Sequence, residues 1–94
     1  MRLIWLPSAQ RDLQHALDYI RERNPNAATG MGKRIIGSVG QLIDFPRMGR
    51  SGRVKGTYEL VIGRTPYIVA YRLAGNDIEV LAVIHGARRW PERF

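Results

Sequence analysis

The residues best suited to chemistry lie close together near the C-terminus, in the run His85-Gly86-Ala87-Arg88-Arg89-Trp90. Histidine titrates near neutrality and can take up and return a proton. Arginine pairs in two-pronged fashion with phosphate or carboxylate, and Trp with Arg is enriched at binding hot spots. A second cationic group, Arg47, Arg50, Arg53 and Lys55, occupies a stretch with no acidic residue. With Arg72, these side chains describe a surface for a polyanion or an acidic partner. Two chemistries follow. His85 and Arg88 could act as acid/base and phosphate-stabilising groups, or the whole set could bind without catalysis. His85 as a polar strand end, and Arg47 to Lys55 as a solvated loop, are the plain alternatives.

The elements that must position these residues can be read from the pattern. Arg2 to Leu6 is a short aromatic and β-branched strand that Pro7 ends. Ser8 is suited to cap a helix in which Ala9, Leu13, Ala16, Leu17 and Ile20 share one stripe, with Trp5 in the core and His15 exposed. That helix is expected to stop near Arg23, because Asn24 precedes Pro25. Asn24 and Pro25 then open a second helix with Ala28, Met31, Ile35, Val39 and Leu42 facing the core. The near absence of a loop makes an antiparallel helical hairpin.

After Phe45-Pro46 comes the cationic segment, read as a loop without periodicity. Strands are expected at 58–62, 67–73 and 78–85, with Gly75-Asn76-Asp77 turning the last hairpin. The middle strand is apolar on both faces and belongs inside the sheet. The order is β-α-α-β-β-β, an α+β domain over residues 1–94 with the hairpin packed on one face of a small, mostly antiparallel sheet.

Composition narrows the function. The chain has 94 residues, a net charge of +7, no cysteine and two histidines distant in sequence. No disulfide framework or thiolate metal site is possible, and no metal or other cofactor is expected. No apolar run approaches the ~20 residues of a membrane span, and the opening MRLIWLPSAQ is too short for a signal peptide, so a cytoplasmic protein is expected. The basic excess predicts salt-dependent attraction to nucleic acid or an acidic protein.

Taken together, WLPSAQRDLQHALDYI, FPRMGRSGRV, GTYELV, PYIVAYR and IEVLAVIHGARRWP resemble the RelE/ParE toxins of bacterial type II toxin–antitoxin systems. The resemblance runs over nearly the whole chain. It implies a small growth-inhibiting toxin, of the kind that stabilises plasmids, neutralised by a cognate ParD-like or RelB-like antitoxin. It also implies one of two targets: messenger RNA cut on the ribosome in RelE-like members, or DNA gyrase in ParE-like members.

Cleavage through a 2′-hydroxyl requires a base, cations facing the phosphate, and an acid for the leaving oxygen. In the RelE-like nucleases that this chain resembles, two strand lysines and an arginine supply most of this. The corresponding positions here are Glu59, Val61 and Ile68. Loss of one such contact typically costs about 100- to 1,000-fold in rate. The resemblance is therefore closer to ParE-like members, with gyrase as the expected target and no confident catalytic residue. A ribosome-dependent endoribonuclease using His85 and Arg88 is the alternative. Arg50, Arg53, Lys55, Arg72, His85, Arg88, Arg89 and Trp90 are the candidate target-binding residues. For the antitoxin, an apolar groove beside the hairpin is expected, formed by Leu13, Leu17 and Ile36, with Gly37 and Gly40 allowing close approach.

Overall fold

A computed structural model describes residues 1–94. The chain begins with strand β1 (Arg2–Trp5), helix α1 (Pro7–Arg21) and helix α2 (Pro25–Gly40), followed by a short 3₁₀ turn (Gln41–Ile43). Four strands complete it: β2 (Arg50–Ser51), β3 (Tyr58–Val61), β4 (Tyr67–Ala74) and β5 (Asp77–His85). The sheet order is β1-β5-β4-β3-β2, with β1 parallel to β5 and every other pair antiparallel. The fold is α+β, and β4 lies at the centre of the sheet as its two-sided apolar pattern requires.

Both helices cover one sheet face. Ala9, Ala16, Met31, Ile35, Val39 and Leu42 meet Val69, Tyr71, Ile78, Val80 and Val83 there in one buried cluster. A smaller cluster of Ala70, Leu81 and Ala82 lies apart from this core, with Leu6, Ile84 and Trp90 packed against it. The β4–β5 hairpin turns on Gly75, whose φ of 59° suits a position that favours glycine.

Three local expectations need correction. Ser8 does not cap α1: Pro7 takes the first helical position, Leu6 stands at the cap with no side-chain bond, and Ser8 lies inside the helix. Its hydroxyl instead donates to the Leu81 carbonyl at 2.8 Å. α1 ends at Arg21, two residues before Arg23, and the turn that follows is closed by the Arg23 and Asn24 amides, which both donate to the Ile20 carbonyl, at 3.0 and 2.7 Å. Asn24 does cap α2, its side chain accepting from the Ala27 amide at 3.1 Å.

The third correction concerns the cationic loop. It contains a strand, because Arg50 and Ser51 pair with Glu59 and Tyr58, and the sheet therefore has five strands. A two-residue strand is too short to show periodicity in sequence.

The register between β4 and β5 shifts at Ala70/Tyr71, where Ala70 pairs with Ala82 but Tyr71 with Val80, so Leu81 is an extra residue. β1 pairs with β5 only as far as Val80. Beyond it, α1 supplies the missing partners: Ser8 to the Leu81 carbonyl, and the Asp12 carboxylate accepting from the Val83 amide at 3.0 Å. The turn at Pro7 thus places α1 over the exposed edge of β5.

Candidate functional site

The cationic loop is fastened to the sheet by two side chains. Tyr71, fully buried on β4, donates its hydroxyl to the Pro46 carbonyl at 2.8 Å and accepts from the Gly49 amide at 3.0 Å. Burial pushes its hydroxyl pKa up, and the neighbouring Tyr58 adds to this, against the lowering effect of the Gly49 amide. Tyr58 stacks on it with ring centres 5.3 Å apart, and Arg47 donates to the Tyr58 hydroxyl at 3.2 Å. Gly49 has no room for a side chain, since a Cβ would lie 2.9 Å from the Glu59 carbonyl oxygen.

Glu59 is the second fastening. Its side chain is only 2% exposed, yet three groups serve it. Arg50 donates to Oε1 from Nε at 3.2 Å and Nη2 at 3.0 Å, and the Arg53 amide donates to Oε2 at 2.8 Å. The Arg53 guanidinium lies 3.4 Å from the same oxygen. Burial alone would raise the carboxyl pKa, but the Arg53 amide and the two guanidinium groups outweigh it and hold it below the ordinary range.

This changes how the cations read. Arg50 and Arg53 share one carboxylate, and Arg72 pairs with Glu79 at 2.6 Å. Lys55, Arg88 and Arg89 take part in no ion pair within 4.0 Å. Sequence reasoning placed all six on one footing because the strand pairing that sets Glu59 beside Arg50 and Glu79 beside Arg72 decides which cations are answered, and no local pattern shows it.

At the far end of β5, His85 stands opposite Tyr67, ring edge to face, with centres 5.5 Å apart. Its Nδ1 accepts from the Ala87 amide at 3.1 Å, which leaves Nε2 to carry the proton of the neutral ring. The Gly86 amide donates to the Pro66 carbonyl at 2.8 Å and the Arg88 amide to the His85 carbonyl at 3.0 Å. These bonds bring His85, Arg88, Arg89, Tyr67 and Arg72 to the wall of one open groove of about 1170 Å³, closed on the other side by α1. Asp12 also lines it, but its carboxylate is engaged by the Val83 amide. Sequence reasoning missed Asp12; its place off the apolar stripe of α1 was the available signal.

Trp90 turns back from the tail onto Ala70, Leu81 and Ala82, and the Arg53 guanidinium lies 3.8 Å over its ring. The loop and the tail therefore meet. Of the three positions where the resemblance to RelE-like nucleases implies cations, Glu59 is buried and paired, Ile68 is buried, and Val61 is 54% exposed.

A second, smaller groove of about 460 Å³ runs along the helical hairpin, lined by Trp5, Leu13, Leu17 and Ile36 with Gln10 and Gln14. It brings together three of the five residues expected to meet an antitoxin. Ile36 is 55% exposed, and a Cβ at Gly37 or Gly40 would meet nothing within 4 Å. The two glycines thus leave the outer surface of α2 open. Gly32 is different: a Cβ there would touch Leu17 at 3.5 Å, so it is Gly32 that faces α1.

The chain is similar to known proteins over most of its length. A family profile described as "ParE toxin of type II toxin-antitoxin system, parDE" matches residues 3–90. The chain is 40% identical over 91 residues to Y4kP of Sinorhizobium fredii, covering 97% of this chain and 94% of that protein. It is 30% identical over 79 residues to Toxin RelE1 of Caulobacter vibrioides, covering 83% and 85%. Among solved structures, a chain of the chromosomal ParDE system of P. aeruginosa superposes with a TM-score of 0.83 at 26% identity, over 90% of this chain and 95% of that one.

Proposed function

This chain belongs to the ParE toxin family of type II toxin–antitoxin systems, and from that premise we propose that it arrests growth by inhibiting DNA gyrase. The observation that carries the choice of target is the face of the sheet where related nucleases hold their cations. Here that face presents a neutralised carboxylate, Glu59, and two hydrocarbons, Val61 and Ile68. A phosphate there would find hydrocarbon at residues 61 and 68, and the nearest guanidinium groups, those of Arg50 and Arg53, are already engaged by Glu59. Inhibition then proceeds by binding, through Arg88, Arg89, Trp90 and the exposed cations near them.

Toxins of this family are neutralised by an antitoxin, and a ParD-like partner is proposed here by analogy with the P. aeruginosa system. The hairpin groove suits an amphipathic helix: its walls are Leu13, Leu17 and Ile36, and Gly37 and Gly40 let a second backbone come near. The chain's net charge of +7 favours an acidic segment.

The direct test is supercoiling of relaxed plasmid by gyrase, titrated with toxin freed from its antitoxin. Inhibition with accumulation of cleaved DNA, reversed by antitoxin, supports the reading. Full supercoiling in the presence of excess folded toxin removes it for that gyrase. A second reading, ribosome-dependent cleavage of messenger RNA, is favoured by His85, whose Nδ1 alone is engaged within the chain, standing with Arg88 and Arg89 in the lining of one groove. It predicts cleaved transcripts on translating ribosomes, abolished in His85→Ala.

A further inference from the structure

The tail beyond β5 is held in an unusual way. Its backbone bonds to the rest of the chain end at Gly86 and Arg88, and no later residue donates or accepts a hydrogen bond. What fixes its course past that point is Trp90, half-buried against Ala70, Leu81 and Ala82. The indole N–H is buried and has no partner, so packing rather than hydrogen bonding seats the ring. One further contact reaches it: the Arg53 guanidinium, 3.8 Å above the ring centre.

Arg53 is placed by Glu59 twice over, through its amide at 2.8 Å and its guanidinium at 3.4 Å. A buried carboxylate is a costly way to stabilise a sheet, and a hydrophobic residue of similar size commonly serves as well. Its geometric product is different. It anchors a guanidinium that lies over the ring of Trp90. Arginine is suited to both tasks at once, since its planar group pairs edge-on and stacks face-on.

We propose that Glu59, Arg53 and Trp90 form a clasp that positions the cationic tail, so that Arg88 and Arg89 reach the target in a fixed arrangement. Glu59 and Arg53 are positioning residues in this scheme, acting through Trp90. Its consequence for gyrase rests on the reading above, whereas the clasp concerns only contacts within this chain. The same residue that stands where a nuclease cation is expected thus supplies a different device: the carboxylate of Glu59 orders the loop cation against the tail.

The experiment uses the full-length toxin in a Trp5→Phe background, which leaves Trp90 as the only indole. Arg53→Ala is the first variant, because the Arg53 side chain is 47% exposed and its removal opens no core cavity. Trp90 emission is expected to shift to the red, its quenching by acrylamide to rise, and tryptic cleavage after Arg88 and Arg89 to accelerate. Arg53→Lys keeps the charge but not the planar stack, and should show the same emission shift. Antitoxin affinity, measured with Trp5 in place because it lines the hairpin groove, should stay within about twofold in Arg53→Ala.

Gyrase inhibition should weaken about tenfold in Arg53→Ala and in Trp90→Ala, with the double variant no worse than either alone. Unchanged Trp90 emission in Arg53→Ala overturns the clasp. So do additive losses in the double variant. If the parent toxin leaves gyrase untouched, the target reading fails by itself, and the emission and cleavage measurements still decide the clasp.

Discussion

The Tyr71 hydroxyl donates to the carbonyl of Pro46 at 2.8 Å, tying the fully buried middle of the central strand to the start of the cationic loop. The same oxygen accepts from Gly49, so a single side chain fixes the loop on both sides of Arg47. This is how a segment rich in glycine and arginine keeps one conformation beside the site.

Tyr71→Phe keeps the ring and its stack on Tyr58 but strands the Pro46 carbonyl and the Gly49 amide. The expected cost is about 1–3 kcal/mol in a urea titration, accompanied by faster amide exchange at Gly49. The raised hydroxyl pKa gives this contact a pH signature. A group whose folded pKa lies above its unfolded value, about 10 for tyrosine, gives stability that is full below that value and lost as pH rises through the folded one. Wild type should therefore lose stability above about pH 10 faster than Tyr71→Phe does. Parallel alkaline curves would deny the buried hydroxyl this role.

Glu59 has the opposite sign. Its folded pKa is depressed, so its contribution is present above the unfolded value of about 4.3 and is lost as pH falls through the lower folded value. Glu59→Gln should be less stable than wild type at pH 7 by about 1–3 kcal/mol. As pH falls from about 4 through the lower folded value the gap should close, because the native side chain then becomes neutral as well. Denaturant midpoints for both proteins at the two pH values measure this, and a gap independent of pH would show that the carboxylate charge does not hold the loop.

The two hydrocarbon positions on the same sheet face should tolerate a cation very differently. Val61 is 54% exposed, and Val61→Lys is expected to change stability by less than about 0.5 kcal/mol. Ile68 is 9% exposed and its Cδ1 lies 3.5 Å from where a Cβ on Gly86 would sit. Ile68→Arg must therefore force a charge under the tail, at a cost of about 1–3 kcal/mol by thermal melting. Equal melting temperatures for the two variants would mean that the tail leaves residue 68 open.

Much of this architecture was legible from residue type and spacing. The helical hairpin announced itself through the stripe on α1 and through Asn24-Pro25, and the central place of β4 through its two apolar faces. The hairpin groove was legible because Leu13, Leu17 and Ile36 sit at positions whose helical phase the sequence sets. What remained hidden depended on contacts distant in sequence. β2 has two residues and exists because Glu59 and Tyr58 pair with it. The engagement of Arg50 and Arg53 by Glu59 depends on a strand register that no local pattern encodes, and so does the stacking of Arg53 on Trp90. Ser8 misled because a good capping residue loses the cap when a proline precedes it and claims the first helical position.

The outer surface of α2 separates folding from recognition most cleanly. Gly37 and Gly40 lie in helical conformation with open space where a Cβ would be, so neither serves the packing of this chain. Replacing glycine by alanine inside a helix typically stabilises by about 1 kcal/mol, and Gly37→Ala should raise the melting temperature accordingly. Gly37→Trp should fold equally well, because a large side chain there projects into solvent beside Ile36. A partner helix seated over Leu13, Leu17 and Ile36 would collide with it, and antitoxin affinity should fall by at least about tenfold. Titration calorimetry with the cognate antitoxin, set beside thermal melts of the free toxin, distinguishes the outcomes. Affinity lost with stability kept places the antitoxin on this surface. Affinity kept in Gly37→Trp would move it elsewhere and leave the glycines as nothing more than weak points in the helix.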